Sequence, residues 1–180
     1  MSTTIALFRG INVGGRHSLA MKDLKDLLAD LDLREIKTYI QSGNVVFESE
    51  LRDLEHLSSS ISAEIKRRHG FEPQVLLLEV EEMRKAIDLN PFPEAQSEPK
   101  TLHFFFLTAP AEEPDLGAMQ EIKAESERFE LKDRVFYLHA PDGIGRSKLA
   151  ASVEKLLGVP VTGRNWRTVS KIMSMIDDGE

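Results

Sequence analysis

Along the first 89 residues the apolar positions change period in a set order, and that order constrains the fold more than any other feature. Thr3 to Phe8 is a short apolar run that reads as a buried strand. Met21, Leu24, Leu27, Leu28 and Leu31 then recur at helical spacing, with Lys22, Asp23, Lys25 and Asp26 on the opposite face. Glu35 to Gln41 reads as a second strand, Ser42-Gly43-Asn44 as a turn, and Val45-Val46-Phe47 opens a third strand, making a hairpin. Leu54, Leu57, Ile61 and Ile65 mark a helix from Asp53 to His69, closed by Gly70 as its C-terminal cap. Val75 to Val80 is a fourth strand, and Met83 with Ile87 suits a short helix. Strand-helix-strand-strand-helix-strand is the order of the split βαβ unit of ferredoxin-like folds.

Asn90 to Pro99 carries three prolines and no periodicity, so it reads as a connection. The same order then begins again. Thr101 to Thr108 is a strand, Pro114 to Ala124 a helix with an acidic first turn, and Ser126 to Lys132 with Arg134 to Ala140 a second hairpin. Ser147 to Leu157 is a helix ended by Gly158, and a last helix runs from about Asn165 to Ile176, its Trp166 expected to pack beside Val169 and Met173. The predicted fold class is α+β: two ferredoxin-like halves in tandem, each an antiparallel sheet built from a split βαβ unit, with a C-terminal helix. Residues 1–89 form the first half, 90–100 the proline-containing connection and 101–180 the second half with that helix, the two halves making one compact unit. An apolar strand such as Leu102 to Leu107 needs cover on both faces, from the other half or from another copy of the chain.

The 180 residues are enough to bury about 70% of the unfolded surface. A net charge of −7 argues against non-specific binding of nucleic acid or membrane by the whole molecule. Without cysteine there is no disulfide framework and no thiolate site. No basic-then-apolar leader and no run of 18 apolar residues occur, so a cytoplasmic protein with no membrane partner is expected. The five histidines, His17, His56, His69, His103 and His139, show no metal-ligand spacing. Neither a metal nor a cofactor is expected.

Three constellations carry chemistry. Arg9, Gly10, Asn12, Gly14, Gly15 and Arg16 stand where the first strand hands over to a helix, a place for backbone N–H groups and guanidinium groups to face an anion. The spacing is neither that of a P-loop nor that of a dinucleotide fingerprint, and a plain glycine turn whose Asn12 satisfies its own backbone accounts for it equally well. Gln41, Ser42 and Asn44 combine turn chemistry with two amides and a hydroxyl that suit a base, an amide or a phosphate. Antiparallel first and third strands put this turn at the same sheet edge as the glycine loop. The third constellation is charge. From Ile144 to Lys171 six basic residues face one acid, Glu154, a segment of +5 that leaves −12 for the rest. Arg146, Ser147, Lys148 and Arg164 are its candidate anion contacts, and Ser147, Thr162 and Asn165 its candidate N-caps. The plainer account is a solvated basic face paired with Glu112, Glu113 and Asp115.

Arg9-Gly10-Ile11-Asn12-Val13-Gly14-Gly15 and Tyr39-Ile40-Gln41-Ser42-Gly43-Asn44-Val45-Val46-Phe47 resemble the two signatures of a bacterial family, domain of unknown function 1697. Asn90-Pro91-Phe92, Gly145-Arg146-Ser147-Lys148 and Arg164-Asn165-Trp166-Arg167-Thr168-Val169 resemble its later motifs, in the same order. Members often carry Lys after the double glycine, where this chain has Arg16. The resemblance implies an α+β fold with ferredoxin-like halves, and no activity, cofactor or catalytic residue. The residues favour a binding or regulatory module for a small anionic ligand, a nucleotide or phosphorylated metabolite. Two alternatives stand beside it: an RNA- or DNA-binding sheet with Phe8 and Phe47 as stacking aromatics, and an enzyme on an anionic substrate using His17 or Ser42.

Overall fold

Strand β1 (Ser2–Arg9) carries five consecutive buried residues, Thr4 to Phe8, and becomes the centre of a sheet because both of its sides are apolar. A computed structural model describes residues 1–179, which form two compact units: residues 1–85 with the chain from Lys171 onward, and residues 86–170. In the first unit β1 is followed by α1 (Met21–Asp30), β2 (Arg34–Tyr39), β3 (Asn44–Ser49), α2 (Leu54–His69), β4 (Gln74–Glu79) and α3 (Val80–Asp88), whose last residues belong to the second unit. The strand order is β2-β3-β1-β4, with every pair antiparallel.

Alternation along the strands sorts the core. Ala6, Phe8, Val45, Phe47, Val75 and Leu77 point to the side where Leu24, Leu27 and Leu28 of α1 and Leu57, Ile61 and Ile65 of α2 pack. Each such buried Leu or Ile contributes about 1.5–3 kcal/mol. Helix α2 begins at Asp53, whose carboxylate accepts from the His56 N–H at 3.0 Å, and ends at Gly70 in the left-handed conformation that a C-terminal cap requires. The same helix dresses the edge strand β4: Ser58 Oγ donates to the Val75 carbonyl and Ser62 Oγ to the Pro73 carbonyl, at 2.5 and 2.7 Å. Occupied edge groups are poor templates for pairing with another chain.

The second unit contains β5 (Leu102–Leu107), α4 (Leu116–Ile122), β6 (Arg128–Lys132), β7 (Val135–His139), α5 (Lys148–Leu157), β8 (Val161–Asn165) and the start of α6 (Trp166–Asp177). Its strand order, β6-β7-β5-β8, repeats that of the first unit, again antiparallel throughout. The fold is therefore α+β, with two four-stranded antiparallel sheets and six α-helices among the described residues. All six residues of β5 are buried.

Several elements depart from expectation. Strand β8 adds to the elements expected from the sequence, because Val161-Thr162-Gly163-Arg164-Asn165 holds no apolar run. Pairing with β5 creates it, in the register Phe106↔Thr162 and Phe105↔Gly163, where tertiary context outweighs weak local preference. Gly163 lies close against the Phe105 side chain, whose Cε1 a Cβ would approach to 2.9 Å. Thr162 is thus a strand residue and caps nothing, whereas Ser147 Oγ accepts from the Ala150 N–H and Asn165 Oδ1 from the Thr168 N–H, each at 3.0 Å. Helix α4 starts late, at Leu116 after its cap Asp115, so Glu112 and Glu113 fall outside its first turn. Among the described residues no helix is long and apolar enough to cross a membrane.

Candidate functional site

The glycine loop leaves β1 beside the start of β3, since Leu7 pairs with Asn44 and the Phe8 N–H donates to the Gly43 carbonyl at 2.9 Å. Loop and turn share one sheet edge. The loop is a miniature hairpin rather than an open cradle. Asn12 N–H donates to the His17 carbonyl and Arg16 N–H to the Val13 carbonyl, both at 3.0 Å, and Val13 and Arg16 form a β-bridge. Gly14 and Gly15, at φ +59° and +73°, occupy the two central turn positions, where a two-residue hairpin turn needs positive φ.

Asn12 builds this edge. Its Nδ2 donates to the Leu19 carbonyl at 2.8 Å and to the Gln41 carbonyl at 2.7 Å, and its Oδ1 accepts from the Leu19 N–H at 2.7 Å. One side chain thereby closes the loop and ties it to the turn. Asn44, fully buried, donates to the Tyr39 carbonyl at 3.1 Å and to Ser42 Oγ at 3.2 Å. Gly43, at φ +85°, sits so close to the core that a Cβ would meet Phe8 Cβ at 2.6 Å and Ile11 Cδ1 at 2.7 Å. Arg9 Nη1 donates to Gln74 Oε1 at 3.3 Å, and the His17 ring stacks on Phe71 with centroids 4.7 Å apart. Gly10, at φ +78°, only opens the loop, whereas Arg16 is exposed and makes no ion pair among the described residues. The polar side chains at this edge mostly hold backbone.

Arg146, Ser147, Lys148 and Arg164 lie in the other unit. There β7 ends at His139, opposite Leu102, and β8 ends at Asn165, opposite His103, so the loop into α5 and the start of α6 leave from one edge. Arg146 and Lys148 are exposed on either side of the cap Ser147 and have no acidic partner among the described residues. The pairing with Glu112, Glu113 and Asp115 that the plainer account offered is not found among the described residues; Asp115 caps α4 instead. Arg164 is half-buried on β8, donates to the Gly163 carbonyl at 2.9 Å, and is pulled down to a pKa of about 10 by burial.

The aromatic platform of the nucleic-acid reading is absent: Phe8 and Phe47 are both buried under α1 and α2. Trp166 packs its ring against Phe104, centroids 5.8 Å apart. Ser42 Oγ accepts from the Asn44 amide at 3.2 Å, which ties it into the turn. Among the described residues no three His, Cys, Asp or Glu side chains gather as metal ligands.

One cluster escaped the sequence. Arg128 Nη2 donates to Glu94 Oε1 at 2.6 Å and meets His139 Nδ1 at 2.9 Å, while its guanidinium lies 4.6 Å from the Phe92 ring centroid. Arg128 holds the Glu94 carboxyl below its ordinary range, and burial with the Arg128 charge lowers His139. The motif Asn90-Pro91-Phe92 supplies one wall and Glu94 follows it in the chain, while Arg128 and His139 meet through the β6–β7 register.

Two like halves, each an antiparallel sheet with helices packed on it, define an α+β protein with an internally repeated architecture. The chain belongs to the family described as Protein of unknown function (DUF1697), whose family model matches residues 1–137. That span holds the glycine loop and the Gln41–Asn44 turn and stops before α5. The chain is also similar in structure to the conserved bacterial protein SP0830 from Streptococcus pneumoniae, at a TM-score of 0.62 and 23% identity, covering 97% of this chain and 98% of that one. This likeness is one of fold. No curated protein matches the chain.

Proposed function

We propose that the chain is a binding module for a small anionic ligand, a nucleotide or phosphorylated metabolite, taken at the start of α5. The observation that carries this reading is the pair Arg146 and Lys148, exposed and without acidic partners on either side of the Ser147 cap. Ser147 already serves the Ala150 N–H through its hydroxyl and the Ala151 N–H through its carbonyl, at 3.0 and 3.2 Å. The N–H groups of Lys148 and Leu149 stay as first-turn donors at the positive end of the helix dipole. Two cations and two N–H groups suit three or four phosphate oxygens. Holding two like charges together without a counter-charge costs self-repulsion, which a bound anion removes. The ferredoxin-like reading of each half rests on the element order and on the strand order shared by the two sheets.

Thermal shift with AMP, ATP and pyrophosphate as probes, at matched ionic strength, tests the reading. A ligand at 100 times its dissociation constant adds about 2.7 kcal/mol to the stability of the species that binds it. The expected result is a rise in melting temperature with at least one probe that disappears in the double variant Arg146→Ala, Lys148→Ala. Equal shifts in both proteins, or none in either, reject the site.

A further inference from the structure

Ile40 stands at φ +51° with 51% of its surface exposed. A β-branched residue is strained in this left-handed region, where glycine, asparagine and aspartate are the usual occupants. Two asparagine amides keep it there. Asn44 Nδ2 donates to the Tyr39 carbonyl at 3.1 Å and Asn12 Nδ2 to the Gln41 carbonyl at 2.7 Å, so the carbonyls before and after Ile40 are both anchored. Asn12 also opens the 12–17 hairpin, whose next residue, Val13, is 61% exposed. One side chain therefore brings two exposed β-branched residues to the same sheet edge, and neither joins the core beneath it. Strain that gives the interior nothing points to what the side chain meets outside.

Charge names the chemistry of the partner. Residues 9–19 and 39–44 include Arg9 and Arg16 and no carboxylate, in a chain of net charge −7. Arg16 lies across the hairpin from Val13. We propose that Val13 and Ile40 are the apolar anchors of a docking surface for an acidic segment of a partner protein, with Arg16 meeting its carboxylates. Two anchors on one edge suit a short peptide rather than a second copy of the chain, since a stable interface buries about 800 Å² on each partner. This surface lies in the unit that does not hold Arg146 and Lys148, and stands or falls independently of the anion site.

The experiment is fluorescence anisotropy with a labelled peptide of alternating glutamate and leucine, compared with the same peptide carrying serine for leucine or lysine for glutamate. The wild-type chain should bind the first peptide and neither comparator. Ile40→Asn should weaken that binding at least tenfold while raising the melting temperature by about 2–4 °C, because asparagine relieves the strain. Arg16→Glu should abolish binding without changing the melting temperature. The proposal is overturned by no binding to the wild type, by equal binding of the serine peptide, or by a lower melting temperature in Ile40→Asn. Self-association in sedimentation velocity that Ile40→Asn removes overturns it as well, since the occupant would then be a second copy.

Discussion

Replacing Asn12 with alanine removes three hydrogen bonds of 2.7–2.8 Å and leaves a Cβ residue at φ +53° with no polar group to compensate. Each bond contributes about 0.5–1.5 kcal/mol net, toward the lower end here because water reaches part of the edge. The left-handed backbone adds about 1 kcal/mol for alanine. The expected loss is about 2–4 kcal/mol, confined to the unit that holds residues 1–85. Asn12→Gly loses the bonds without the strain and should cost about 1 kcal/mol less. Asn12→Asp keeps the bond from the Leu19 N–H but turns a carboxylate toward the Leu19 and Gln41 carbonyls, so it should be at least as damaging as alanine. The assay needs care, because the single tryptophan, Trp166, reports the other unit. Hydrogen exchange of the β1 and β3 amides in increasing urea is the proper readout. A loss below about 0.5 kcal/mol for Asn12→Ala would refute the claim that this side chain holds loop and turn together.

Gly43→Ala should cost about 2–5 kcal/mol, since the new Cβ is strained at φ +85° and runs into Phe8 and Ile11; urea midpoints check it, and a near-neutral result contradicts the packing. His103, 7% exposed with Nε2 unpartnered, is pushed down to a pKa of about 4 by burial from an ordinary 6.5. A depressed histidine stays neutral in the fold while the unfolded chain takes up a proton. Stability should therefore fall between pH 6.5 and 4, by roughly 3 kcal/mol in all, and His103→Phe should flatten that slope. An unchanged slope in the variant rejects His103 as its source.

Much of the fold was legible because burial leaves a period in the sequence. Seven of the eight strands and the hairpins announced themselves through apolar alternation or turn residues. Strand β8 did not, since Val161 to Asn165 owes its conformation to the free side of β5 and to the close approach of Gly163 to Phe105. The shared edge of the glycine loop and the Gln41–Asn44 turn followed from antiparallel topology alone. The division of labour within that edge did not: an amide that recognises a phosphate and one that anchors a carbonyl are the same residue in sequence, and only the bonds of Asn12 and Asn44 separate them. Ile40 gave no signal either, because an exposed isoleucine becomes informative only once its φ is known.

Binding of a small anion at the start of α5 is tested by a 1H–15N titration of the chain with pyrophosphate at constant ionic strength. Saturable shifts are expected, centred on the amides of Gly145, Arg146, Lys148 and Leu149 and lost when Arg146 and Lys148 are both alanine. Shifts that never saturate, that centre elsewhere, or that persist in the double variant would contradict it.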